Sequence, residues 1–224
     1  MDETHYAGLA RLLKSGHGRR ALIRARGDEE TAFLKRFIES GGRNGGAGEV
    51  SSLEDLRSAI QRCDRCPHTA EKKFGYGTGE NGVMVILYPP LLLPGADRKE
   101  YKKDSAELLK KMLGAIELSL NECYITSLIK CEPDGALTAP SAMFRDCEEM
   151  LKLEISVVRP SVVVVMGDMV PLKKIMASCP SISWYCVDHP VSLIKNPELK
   201  RKAWNTLKLV RQKIDETAAA PAGS

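Results

Sequence analysis

The stretch Ser161-Val162-Val163-Val164-Val165-Met166-Gly167 constrains the fold more than any other. Its side chains alternate between two faces, and both faces are apolar and β-branched. Such a strand must be covered on both sides, which parallel sheets flanked by helices provide. Val83-Met84-Val85-Ile86-Leu87 has the same chemistry, and Cys123-Tyr124-Ile125-Thr126 and Trp184-Tyr185-Cys186-Val187 read as two further strands. Between them, apolar residues recur at helical spacing over residues 108–120 and 141–158, with a last helix over 197–214. Strands separated by helices of this length need crossover connections, so the expectation is a three-layer α/β/α fold with a central, mostly parallel four-stranded sheet. Ligands of such sheets bind at the carboxyl ends of the strands. The loops that matter are those after Leu87, Thr126, Gly167 and Val187.

A chain of 224 residues suits one domain with appendages. Residues 1–40 read as a helical N-terminal extension. Residues 41–50, Gly41-Gly42-Arg43-Asn44-Gly45-Gly46-Ala47-Gly48-Glu49-Val50, read as a glycine-rich linker, because each glycine loses the most backbone entropy on ordering. The domain proper is expected over 51–216, opened by a helix that Ser51 or Ser52 caps and that leads to Cys63. The low-complexity end, 217–224, reads as a disordered tail.

Hydrophobic residues make up 43% and charged residues 28%, with no apolar run of the roughly 18 residues a spanning helix needs. The acidic start Met1-Asp2-Glu3-Thr4-His5 lacks the basic-then-apolar layout of a signal peptide, so the expected compartment is the cytoplasm and the expected state a soluble monomer. The net charge of +4 is mild, but between His189 and Ile214 the bases Lys195, Lys200, Arg201, Lys202, Lys208, Arg211 and Lys213 face only Glu198. A solvated helix face and a phosphate-facing one fit this pattern equally well.

Seven cysteines in a reducing compartment point to metal or catalysis rather than disulfides. Cys63-Asp64-Arg65-Cys66 is a tight pair, and Cys131 and Cys147 are its candidate remote partners. Four thiolates in this layout suit a 4Fe-4S cluster or tetrahedral zinc, and the single close pair leans to the cluster. Cys123, Cys179 and Cys186 read as buried, unligated thiols beside apolar strands.

From about Leu53 to Ile214 the chain resembles the iron–sulfur uracil-DNA glycosylases of the family-4 type. The resemblance is carried by Cys63-Asp64-Arg65-Cys66-Pro67 with Phe74-Gly75-Tyr76-Gly77 after it, and by Tyr124-Ile125-Thr126-Ser127-Leu128-Ile129-Lys130-Cys131, which is similar to Y-I-T-N-x-x-K-C. It continues through Cys147, Arg159-Pro160 and the valine strand to His189-Pro190-Val191-Ser192-Leu193. It implies a 4Fe-4S cluster on Cys63, Cys66, Cys131 and Cys147, DNA as partner, and base flipping followed by hydrolysis of the N-glycosidic bond, as in base excision repair.

By the same resemblance His189 donates a hydrogen bond to the departing base, a task a neutral imidazole can perform. Without the resemblance it reads as a surface or capping histidine before a proline. Leu193 takes the place of an apolar wedge that fills the gap left by the flipped base, an ordinary core leucine being its rival. Tyr101 aligns with the aromatic that stacks on uracil, Ser127 with the residue that reads its edge, and Lys195 lies where DNA phosphates are expected.

The departures are equally specific. Where the family reads G-E-A-P-G, this chain reads Leu87-Tyr88-Pro89-Pro90-Leu91, so the water-positioning acid is missing. Matching Pro94-Gly95-Ala96-Asp97 instead leaves Leu92 there, and the acid is again absent. Ser127 replaces the family's asparagine and lacks the paired donor and acceptor of an amide. The expectation is therefore weak or altered uracil activity. The alternative is a catalytically inactive scaffold that keeps the fold, binds nucleic acid, or engages a protein partner through Pro89-Pro90-Leu91-Leu92-Leu93-Pro94.

Overall fold

The structure is a computed structural model that describes residues 50–65, 69–88, 102–133 and 140–219. All of them belong to the second of two compact units, Val50–Ser224. Helix α1, Leu53–Gln61, starts at Ser52, whose hydroxyl accepts the Asp55 N–H while the Asp55 carboxylate accepts the Ser52 N–H, both at 3.1 Å. This reciprocal cap satisfies two donors that a helix start otherwise leaves open. Strand β1 spans Thr69–Lys72 and β2 Val83–Leu87, followed by α2, Lys102–Gly114, and β3, Tyr124–Ser127. Then come β4, Cys131–Pro133, α3, Pro140–Val158, and β5, Val162–Met166. A 3-10 turn, Val170–Leu172, leads into α4, Lys173–Ser178, and β6, Ser183–Val187, precedes α5, Pro190–Lys195. A second 3-10 turn, Pro197–Leu199, opens α6, Lys200–Ala219.

The central sheet has the order β3-β2-β5-β6, and all three pairings are parallel. Side chains of β2 and β5 alternate between two cores. Val83, Val85, Val162, Val164 and Met166 pack with Leu109, Met112 and Leu113 of α2 and Ala203, Leu207 and Val210 of α6. Met84, Ile86, Val163 and Val165 pack with Leu56 and Ile60 of α1, Leu151 and Ile155 of α3, and Ile175 of α4. Each such side chain contributes about 1.5–3 kcal/mol on burial, which is why both faces of the valine strand are covered.

Two helices differ in their bounds from the sequence reading. The helix expected over 108–120 runs from Lys102 to Gly114. Glu117 then turns left-handed (φ 60°) and the Leu118 N–H donates to the Leu113 carbonyl at 3.0 Å, closing the helix end. Ile116 and Leu118 prolong the apolar pattern because the turn itself is buried, at 3% and 7% exposure. The last helix begins at Lys200 and runs through Ala219, past the point where a tail was expected. Cys186 is exposed rather than buried, since it faces outward at the end of an edge strand. A two-stranded antiparallel pair, β1 with β4, was not anticipated. No helix among the described residues is long and apolar enough to cross a membrane.

Candidate active site and cysteine centre

Strand register brings the carboxyl ends to one rim. Leu87 pairs with both Ser127 and Met166, and Met166 pairs with Val187. One residue further, the Tyr88 N–H donates to the Met166 carbonyl at 3.0 Å, the Gly167 N–H to Val187 at 3.0 Å, and the Cys186 thiol to Gly167 at 3.1 Å. Gly167 has φ 139°, and a Cβ there would meet the Tyr88 Cβ at 2.5 Å, so a side chain is excluded on two grounds. Tyr88 thus packs onto the end of β5. Burial pushes its phenol up, and Asp168 nearby adds to the shift.

His189 sits at the end of the next strand as the N-cap of α5, extended at φ −60° and ψ 142°, with Pro190 pre-set for the first helical turn. Its Nδ1 accepts the Val191 N–H at 3.1 Å, so the proton of the neutral ring resides on Nε2. At 4% exposure, burial lowers its pKa from 6.5 to about 4. The sequence alternatives merge here: the residue caps a helix, and it is buried and neutral.

Ser127 ends β3 half-buried. Behind it lies a polar network that the sequence reading missed. Glu154 of α3, fully buried, accepts hydrogen bonds from the Tyr124 hydroxyl at 3.0 Å and from the Thr126 hydroxyl at 2.9 and 3.1 Å, and it pairs with the ammonium of Lys130. Lys130, 1% exposed, also donates to the Thr126 hydroxyl at 2.6 Å and to the Ser127 carbonyl. A buried carboxylate persists only when paired and hydrogen-bonded in this way. Burial, with Glu154 as second cause, pushes the Tyr124 phenol far up. The available signal was a lysine inside the apolar run Ser127-Leu128-Ile129-Lys130-Cys131 and an acid among the buried positions Leu151, Glu154 and Ile155.

Leu193 lies on α5. It is 1% exposed inside the α2 and α6 core, because α5 turns its apolar side inward. Lys195 is exposed in the last turn of α5. Tyr101, Cys66 and the segment Pro89–Pro94 lie outside the described residues.

Of the four expected ligands, Cys131 and Cys147 are buried at 2% and Cys63 is half-buried. Strand pairing sets Lys72 opposite Cys131; its ammonium donates to the Cys63 carbonyl and lies 3.5 Å from the Cys131 sulfur. The Lys130 N–H donates to the Cys147 sulfur at 3.3 Å. Burial raises the Cys147 thiol pKa; Lys130 opposes this, while Cys131 and Cys63 are close enough to add to it. Among the described residues no three His, Cys, Asp or Glu side chains converge to hold a single metal ion. The donor set is nonetheless thiol-only, with an N–H and an ammonium aimed at sulfur, and such groups favour the thiolates that an iron–sulfur group requires. Cys123 is fully buried with its sulfur on the Asn81 amide at 3.3 Å, and Cys179 packs partly buried against the α1 and α3 core.

This arrangement has relatives. Over 123 residues, 53% of this chain, it is 25% identical to the "Type-4 uracil-DNA glycosylase" of Archaeoglobus fulgidus, covering 61% of that protein. Over 118 residues, 51% of the chain, it is 25% identical to the Pyrobaculum aerophilum protein of the same description, covering 60% of it. A third such protein, from Saccharolobus solfataricus, is 22% identical over 122 residues, 53% of this chain and 56% of that one. The chain thus spans about six tenths of the length of the curated relatives it matches. The profile described as "Uracil DNA glycosylase superfamily" matches residues 74–208, from the glycine-rich turn before β2 to the middle of α6. With the parallel sheet and the histidine at its rim, that match makes this chain a member of the uracil DNA glycosylase superfamily.

Proposed function

We propose that this protein binds DNA, takes a base out of the stack and hydrolyses its N-glycosidic bond, with weak or altered activity on uracil. One observation carries the reading: His189 is buried, neutral at physiological pH and bound through Nδ1, so its Nε2–H is a donor suited to the oxygen of a departing base. A preorganised donor in a site of low polarity stabilises developing charge more than the same group does in water. Ser127, at the end of β3, would read the base edge with a single hydroxyl, Tyr101 would stack on the base, and Lys195 would meet a phosphate. Tyr88 in the acid's position removes the usual means of orienting water, so departure of the base, rather than attack of water, would carry the reaction.

Cys63, Cys66, Cys131 and Cys147 would hold a 4Fe-4S cluster, with zinc as the alternative occupant. Bound there, it would tie the α1 end, β4 and α3 together as a structural crosslink. Visible absorbance and iron content distinguish the two metals.

The test is single-turnover release from single- and double-stranded DNA carrying uracil, hypoxanthine or xanthine, beside His189→Ala. The expected result is release of one base, slowed about 10²–10³-fold in the variant. No release from any substrate, with DNA binding intact, overturns the enzymatic reading. It would leave the inactive nucleic-acid-binding scaffold, which the tyrosine at the acid's position favours.

A further inference from the structure

The segment Phe74-Gly75-Tyr76 lies extended beside β3, where Tyr76 and Ile125 exchange backbone hydrogen bonds at 2.8 and 2.7 Å. Gly75 is buried, and a Cβ there would meet the Tyr124 hydroxyl at 2.1 Å, so the chain presses flat onto Tyr124 at this point. Alternation then turns both neighbours outward. Phe74 and Tyr76 are 42% and 55% exposed, two of the few large apolar side chains that the described surface leaves open. The Tyr76 hydroxyl donates to the Asn121 side chain, which tethers the ring at its tip and leaves its face open.

Phe74 also lines a cleft of about 360 Å³ with Arg57, Ser58, Gln61 and Arg62 of α1 and its C-cap. No acid lines it, and neither guanidinium is ion-paired with a described carboxylate. Asp55 of α1 is turned onto Ser51 and Ser52. Two cations beside two outward aromatics complement a nucleic-acid strand: guanidinium for phosphate, ring for base. Residues two apart on an extended strand stand about 6.6–6.8 Å apart. That is about twice the 3.4 Å spacing of stacked bases in one strand. Neighbouring bases can lie on both rings only where the strand is pulled open, which a duplex does not allow.

We propose that Phe74, Tyr76, Arg57 and Arg62 form a docking site for single-stranded DNA. The site adds a contact to the DNA-binding reading above and rests on it only for the choice of DNA over RNA. It is tested with the full chain and a fluorescein-labelled single-stranded DNA of mixed sequence that contains no uracil, read by anisotropy across a salt series. Phe74→Ala weakens binding about tenfold, while Phe74→Trp retains it, since any large ring offers a stacking face. The double variant R57E/R62E lowers the slope of log affinity against log salt by about 1.4, roughly 0.7 for each phosphate of a single strand that is no longer neutralised. Coincident thermal unfolding curves show that these variants fold.

Wild-type affinity in Phe74→Ala and in R57E/R62E overturns the site. Tighter binding of the matching duplex overturns the stretched-strand geometry, and tighter binding of the matching RNA overturns the choice of DNA. The two readings fail separately. Variants at these four residues that lose the uracil-free strand support the site even if no base is ever released, and base release with such variants at full affinity sinks the site alone.

Discussion

The cysteine-bearing flank and the carboxyl rim of the sheet diverge in different ways from the family they belong to. On the flank, Lys72, Lys130, Glu154, Tyr124 and Thr126 engage one another or the cysteines, and the pattern Tyr-Ile-Thr with Lys-Cys stands intact. On the rim, Tyr88 and Ser127 stand where one reading of the resemblance expects an acid and an amide, and Leu193 is buried in the core. Physically, the flank residues are buried polar groups whose partners must change together, because any one left alone is a desolvated orphan. Tyr88 and Ser127 are half-exposed, where a residue is less bound by the fold and freer to answer to a ligand. Changing them alters chemistry at little cost in stability.

The strongest way to break this contrast is Lys130→Met. It leaves the fully buried Glu154 carboxylate without its cation, and the expected loss is about 3–5 kcal/mol in urea unfolding. Removing both charges in K130M/E154L recovers part of that loss, since the orphaned charge is gone while the Tyr124 and Thr126 hydroxyls lose their acceptor. Equal destabilisation by the single and double variants would mean that the network specifies packing rather than neutralising charge.

His189 belongs to the rim by position but to the flank by burial, and pH separates the two memberships. Its folded pKa of about 4 lies below the 6.5 of the free side chain, so between those values the unfolded chain binds a proton that the folded chain does not. Stability from this residue is full above about pH 6.5 and drains as pH falls toward 4, by about 3 kcal/mol in all. Urea unfolding of His189→Gln should show this part of the pH dependence removed between pH 4 and 7. An unchanged profile would place the titration elsewhere.

The central strands and the start of α1 were legible in the sequence, and the short helices, the direction of Leu193 and the Lys130–Glu154 pair were not. The strands over 83–87 and 162–166 announce themselves by apolar side chains on both faces, and Ser52 by its place before an acidic first turn. The short helices α4 and α5 did not, because six residues carry too little period to separate them from a turn. Leu193 read equally as wedge or core residue, for sequence gives hydrophobicity without direction. Lys130 and Glu154 were illegible as a pair because their contact crosses from a strand end to a helix interior, 24 positions away in the chain. Cys186 misled because strand chemistry does not reveal which strand lies at a sheet edge.

Restoring the rim sharpens the contrast from the other side. Tyr88→Glu together with Ser127→Asn returns an acid and an amide to the positions where the resemblance expects them. A positioned acid or base contributes about 10²–10⁴-fold to a proton transfer. The double variant is therefore expected to release uracil about 10²-fold faster than the parent chain in single turnover, with no more than a small change in unfolding midpoint. A large loss of stability instead would show that the Tyr88 ring, packed on Gly167, is part of the core and that the rim is as constrained by the fold as the flank.

The smallest expected effect lies at Ser52. Its hydroxyl and the Asp55 carboxylate satisfy each other's backbone donors at the start of α1, and Ser52→Ala removes half of that exchange for about 1 kcal/mol. Hydrogen bonds from the Ser52 side chain, and then from the Ser51 backbone, hold the Asp55 carboxyl below its ordinary 3.8. A group with a lowered folded pKa contributes stability that is present above the unfolded value and is lost as pH falls through the folded one. The Ser52→Ala penalty should accordingly be constant from pH 7 to 5, shrink as pH falls below 3.8, and reach its floor only once the carboxylate is neutral in the folded parent as well. The same helix carries Arg57 and Arg62 and leads to Cys63, so the variant has a second readout. If the flank is held by its buried network, loosening the first turn leaves Cys63 and the Phe74 cleft unchanged, and alkylation of Cys63 proceeds at the parental rate. Faster alkylation would mean that the cap, worth so little by itself, governs access to the cysteine centre.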